Sequence, residues 1–235
     1  MAAMIPREAR KAAIECNNEG VRLLRSGDLG GAIIRLANGL DIMKSLLEGS
    51  SAMEMEIPGP EGESVDIDTS ADMDLSFLET SYEDSVTAAC YQQQPTYVFC
   101  SPIVISTETA IRHLKISLLM IFNLALAHHL NGIQTSDRDQ LEKALRLYEC
   151  AYCISHEEEV DLSVLHAMAL TNNLGHIHLV LHDTQKSQKC FEQLLATLIY
   201  FVEVSDGDNK EIENLKGFFS NATGLSMIKA SAPAA

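Results

Sequence analysis

Apolar side chains return at three- and four-residue steps along most of this chain, as in Leu29, Ile33, Leu36, Leu40, Met43 and Leu47. That spacing gathers them on one face of an α-helix, whereas a half-buried strand would need strict alternation. The same period predicts a first helix from about Pro6 to Arg25, closed by Ser26-Gly27, and a second that Asp28 opens as N-cap. It predicts further helices over 107–131, 137–154, 159–182, 184–204 and 209–220, with start signals at Ser136 and at Asp183 or Thr184. The expectation is an all-α chain of about seven helices with no strand.

Two stretches break the period. Residues 48–95 are rich in Gly, Ser, Pro, Asp and Glu, and Pro58-Gly59-Pro60-Glu61-Gly62 cannot continue a helix. Too little apolar surface is present there to offset the entropy of ordering, so a disordered insert is expected. From Thr96 to Ile105, Tyr97, Val98, Phe99, Ile103, Val104 and Ile105 surround Pro102. This predicts an extended segment that re-enters the body without joining a sheet. The most apolar run, Ile116–Ala127, contains Asn123 and falls short of the ~20 residues a membrane span needs. A buried core helix is the better reading.

Charge sharpens this division. The chain has 33 acidic and 17 basic residues, a net charge of −16, yet no Lys or Arg lies between Lys44 and Arg112. That interval holds 13 carboxylates, which leaves 20 acids against 17 bases elsewhere. A near-neutral helical body therefore carries one acidic insert. Scattered positive charge argues against nucleic acid as a partner. The opening MAAMIPREARKAAIE has charges where an export signal needs an apolar core. A cytoplasmic location is expected, with the nucleus left open and no membrane partner. The six cysteines then read as reduced thiols, and Asn221-Ala222-Thr223 as an idle glycosylation pattern.

The helix pairs repeat a common pattern. The first helices contain Asn18-Glu19-Gly20, Asn123-Leu124-Ala125 and Asn173-Leu174-Gly175, followed three residues later by Leu23, His128 and His178. The second helices carry Ala32, Ala144 and Ser187, then Leu36, Tyr148 and Phe191, then Gly39, Ala151 and Leu194. Small residues facing large ones let antiparallel helices approach closely. In the middle copy a longer inter-helix loop is expected, stretched by about seven residues. On these residues the chain resembles the tetratricopeptide (TPR) repeat over 13–47 and 115–204. The repeat-packing set is Gly20, Ala32, Leu36, Ala125, Ala144, Tyr148, Ala151, Gly175 and Phe191. It departs from the family's pattern in His128 and His178, in lacking closing prolines, and in the insert after the first copy.

The resemblance implies a curved solenoid of helix pairs whose inner groove binds a peptide or partner helix. The surface that corresponds to that groove holds Asn17, Val21, Arg25, Phe122, Leu126, His129, Asn172, His176 and Leu179. The lysines of the family's carboxylate clamp are missing, so a mixed apolar and histidine-lined groove is expected. The organisation reads as a first helix pair (1–47), the acidic insert (48–95), the remaining pairs with a C-terminal capping helix (96–225), and a flexible tail (226–235). Ile212, Leu215, Phe218 and Phe219 would form the cap's apolar face.

Constellations with chemical potential are few. Cys150 and Cys153 lie near the end of a predicted helix, where the dipole works against a thiolate, and no second Cys pair completes a zinc site. They read as small packing residues. His178 and His182, four apart, would share a helical face, but the intervening Leu179-Val180-Leu181 lacks a catalytic glutamate. Glu157, Glu158, Glu159 and Asp161 suit a helix N-terminus. No phosphate loop, nucleophile elbow or triad is present. The chain reads as an interaction module, an adaptor or scaffold, with no catalysis, metal or cofactor. The alternative is a metal- or thiol-dependent protein using Cys150, Cys153 and the histidines. Within the insert, residues 72–84 interleave acids with Met73, Leu75, Phe77, Leu78 and Tyr82. They read either as a spacer or as an internal pseudo-ligand that folds back into the groove.

Overall fold

The computed structural model describes residues 5–54, 96–107, 112–157, 163–204 and 215–230. Seven helices are present and no strand occurs among the described residues. They are α1 (Ile5–Ser26), α2 (Leu29–Glu54), α3 (His113–Thr135), α4 (Arg138–Glu157), α5 (Val164–Val180), α6 (Thr184–Val204) and α7 (Lys216–Ala230). Consecutive helices pack on one another throughout, most closely within the pairs α1–α2, α3–α4 and α5–α6. First helices also touch across pairs, α1 against α3 and α5 against α7.

The three tight turns share one construction. Gly27, Ser136 and His182 each take positive φ (83°, 55° and 67°) and are each followed by an aspartate. The left-handed residue satisfies the carbonyls of the ending helix, and the aspartate caps the next. Asp28 Oδ1 accepts from Gly31 N at 2.9 Å, Asp137 Oδ1 from Asp139 N at 2.9 Å, and Asp183 Oδ1 from Lys186 N at 3.1 Å. Ser136 therefore ends α3 instead of starting α4, and Asp137 is the cap. The middle pair has no stretched loop either. Its extra residues lengthen the helices, because Gly132 lets α4 approach where a Cβ would meet Leu141 at 2.8 Å.

Small-to-large packing within pairs follows the repeat pattern in copies one and three. A Cβ on Gly20 would sit 2.6 Å from the Leu36 side chain, and one on Gly175 would sit 2.8 Å from the Phe191 ring. Ala32, Leu36, Ala125, Ala144, Tyr148, Ala151 and Phe191 are all buried in one apolar core. The apolar α3 is long enough to cross a bilayer, so length alone does not decide its environment. Burial does: 83% of its most apolar window is covered by the rest of the protein.

Boundaries differ where side chains could not announce them. α2 runs through Glu54, past the expected break at 47, and α7 extends through Ala230 into the expected tail. α5 stops at Val180 because His182 is left-handed, so His178 and His182 do not share a helical face. Residues 72–84 and Ile212 lie outside the described residues.

The tight contact at Gly175 gives a test. Gly175→Ala pushes a methyl into the Phe191 ring and is expected to destabilise by about 1–2 kcal/mol despite better helix propensity. Gly224→Ala, with nothing within 4 Å of the new Cβ, is expected to stabilise by up to ~1 kcal/mol. Urea denaturation of both variants checks the contrast.

Candidate functional site

An extended segment buried among helices has a difficulty that helices do not: its N–H and C=O groups need partners. Residues 97–105 form such a strap along the first helices, with Val98, Phe99, Ile103 and Ile105 buried. In extended chain, the N–H and C=O of one residue point to the same side, and that side alternates from residue to residue. Tyr97, Phe99, Ile103 and Ile105 turn theirs towards the first helices. At each an asparagine is waiting.

Asn18 of α1 accepts from Ile105 N at 3.0 Å and donates to Ile105 O at 2.8 Å. Asn123 of α3 makes both bonds to Ile103, each 2.7 Å. Asn173 of α5 makes both to Phe99, at 2.9 and 3.0 Å. Asn221 of α7 accepts from Tyr97 N at 2.8 Å and donates to Tyr97 O at 2.6 Å. The carboxamide is the side chain that fits, since it offers an acceptor and donors in one short planar fork. Aspartate lacks the donor, and a hydroxyl cannot span both groups.

Spare amide hydrogens weld the clamps together. Asn123 Nδ2 donates to Asn17 Oδ1 at 2.9 Å, and Asn221 Nδ2 to Asn172 Oδ1 at 2.7 Å. Asn17 and Asn172 donate in turn to the carbonyls of Ile103 and Tyr97, both at 3.2 Å. Asn173 Nδ2 also reaches the Tyr148 hydroxyl at 3.0 Å. Apolar contacts complete the seat. Phe99 stacks on Phe218 at 5.7 Å, Tyr97 meets Phe218 edge-on at 5.5 Å, and Phe99 tilts against Phe122 at 6.3 Å. Gly217 makes room for the Tyr97 ring, which a Cβ would approach to 2.5 Å.

The groove residues expected from sequence thus separate into three groups. Asn17, Phe122 and Asn172 touch the strap. Val21, Leu126 and His176 lie about one turn further along their helices and His129 nearly two, all fully buried, while Leu179 is half-buried. Arg25 is exposed at the end of α1. His129 and His176 meet at 3.0 Å between Nε2 and Nδ1. Burial holds both imidazoles well below the ordinary histidine range, His176 down to about 4. Their remaining nitrogens find no hydrogen-bond partner among the described residues.

Asn221, read from sequence as an idle glycosylation pattern, is a buried clamp. Asn18, Asn123 and Asn173 were visible as part of the repeat pattern, but as spacing and not as chemistry. Four asparagines, poor helix formers, within the first helices and among their core-facing residues were the available signal. Cys150 and Cys153 are exposed and not packed, since the inner face of α4 is taken by Ala144, Tyr148 and Ala151. Partial desolvation on the helix surface and the neighbouring Cys153 raise the Cys150 thiol, opposite to what a nucleophile needs. No group of three or more His, Cys, Asp or Glu side chains able to hold a metal occurs among the described residues. His128 instead bonds Gln140 at 2.7 Å, and His178 Nδ1 lies 4.0 Å from Asp183.

Comparison with protein-family models, curated proteins and solved structures finds no match. What the chain defines on its own is an all-helical protein of packed helix pairs around a clamped extended segment.

Two measurements follow. Asn123→Ala leaves the buried Ile103 N–H and the Asn17 amide oxygen without a partner, and the Ile103 carbonyl with Asn17 alone. A loss of about 3 kcal/mol in urea denaturation, with faster hydrogen exchange at Ile103, is expected. The histidine pair sets a pH dependence. Its folded pKa values lie below the unfolded value, so the unfolded chain binds more protons in acid. Stability is fully present above the unfolded pKa near 6.5 and declines as pH falls towards 4, by on the order of 3 kcal/mol for His176. His176→Gln is expected to flatten that slope between pH 7 and 5.

Proposed function

We propose that this chain is a TPR-like protein-interaction module whose inner groove grips extended peptide through its backbone. The observation that carries the reading is the bidentate asparagine on each first helix, α1, α3, α5 and α7. Such clamps bind main chain whatever the side chains, which is the requirement for receiving a protein segment. The repeated turns and the Gly20–Leu36 and Gly175–Phe191 contacts support a solenoid of related helix pairs. The strap 97–105 is then a resident ligand that a partner displaces, and the module acts as an adaptor or scaffold in the cytoplasm without chemistry of its own.

A second reading is favoured by the burial of Phe99 between Phe218 and Phe122. In it the strap is a permanent spine and partners dock elsewhere. One titration separates the two. A tethered ligand competes at an effective concentration on the order of millimolar, so the strap must be weakened. Tyr97→Ala removes the ring that meets Phe218 edge-on and lies over Gly217, and leaves the backbone groups that all four clamps hold. A labelled peptide of residues 96–107 is expected to bind the full-length Tyr97→Ala chain about tenfold more tightly than the unaltered chain. Asn18→Ala in that background should weaken it. Absence of saturable binding to any folded variant would establish the permanent spine.

A further inference from the structure

The clamps do not fall at even intervals along the strap. Between α1 and α3 the held residue shifts by two, from Ile105 to Ile103, and between α5 and α7 it shifts again by two, from Phe99 to Tyr97. Between α3 and α5 it shifts by four, and Ser101 has no asparagine.

The hydrogen-bond patterns on either side of that skip are copies. Asn17, Asn18 and Asn123 form one set; Asn172, Asn173 and Asn221 form the other. In each, the first asparagine of the pair donates to its neighbour's Oδ1 at 3.1 Å and to the carbonyl that the next first helix clamps. It also accepts from that next helix's asparagine. The third pair should stand at 122–123. There Asn123 is present, but the preceding position is Phe122, buried and tilted against Phe99 and, at 5.7 Å, against Tyr148. A ring sits where the pattern calls for an amide. Pro102, buried within the skip, brings no N–H that would need one.

Resting on the peptide-groove reading, we infer that Phe122 is a specificity-determining residue. It divides the groove into two clamped steps with an unclamped bridge between them. The ligand class is an uncharged extended protein segment of the pattern aromatic-x-aromatic-x-x-Pro-aliphatic-x-aliphatic, running opposite to the order of the helices. The aromatic places are set by Phe218 and by the opening over Gly217, the aliphatic ones by the buried seats of Ile103 and Ile105. Because the clamps are neutral amides, binding is nearly independent of salt.

The test varies the ligand against the full-length Tyr97→Ala chain. Two labelled peptides are compared by anisotropy: residues 96–107, and the same peptide lacking Ser101 and Pro102, which restores an even two-residue ladder. The natural spacing is expected to bind at least tenfold more tightly, at both low and high salt. Adding Phe122→Leu should shrink that preference to about threefold or less. Equal binding of both peptides by the Phe122 chain overturns the register inference and leaves the groove reading intact. Failure of both to bind overturns the groove reading and this inference with it. An unchanged preference in Phe122→Leu overturns the role of Phe122, and Phe122→Met serves as the second variant if Phe122→Leu does not fold.

Discussion

Everything in this protein is arranged around a backbone that has been buried without secondary structure. A helix satisfies its own N–H and C=O groups, but the strap at 97–105 cannot, and each unpaired group would cost about 1–3 kcal/mol. Six buried or half-buried asparagines on four helices meet that demand at Tyr97, Phe99, Ile103 and Ile105, the residues whose backbone faces the first helices. They also explain why the first helices tolerate poor helix formers within them. The strap in return gives the first helices a shared ligand, so each clamp ties one helix to the common spine.

The same constraint organises the rest of the core. Gly20, Gly132 and Gly175 bring each second helix close to its first, which leaves the inner surfaces of α1, α3 and α5 free to face the strap. Phe218 and Gly217 on α7 shape the far end of the seat. α7 is therefore more than a cap: it supplies the fourth clamp. The neutral, buried His129–His176 contact lies one to two turns beyond the clamps and adds a polar joint between α3 and α5 without contributing charge.

Main-chain bonds hold an extended segment whatever its side chains, while a few side-chain seats fix its register. Here the asparagines hold main chain whatever the side chains, while Phe122, Phe218 and the buried surroundings of Ile103 and Ile105 fit the strap's own side chains. In the sequence, the acidic stretch without Lys or Arg follows the first helix pair and leads into the apolar 97–105 segment.

Helical period, turn chemistry and small-to-large spacing are local properties, and the sequence alone determined them. Seven helices, the Asp28 and Asp183 caps, the extended 96–105 segment and the facing sets Gly20/Leu36 and Gly175/Phe191 were legible in residues a few places apart. What occupies the groove was not. Asn18 and Ile105 are 87 residues apart, and Asn221 and Tyr97 are 124. A buried asparagine looks the same in sequence whether it packs, caps or clamps. Only the tertiary structure decided that Asn221 holds the strap, that Cys150 and Cys153 face outward, and that His182 leaves the helix. Each depends on which surfaces meet, and on the rule that a buried polar group must find its partner there.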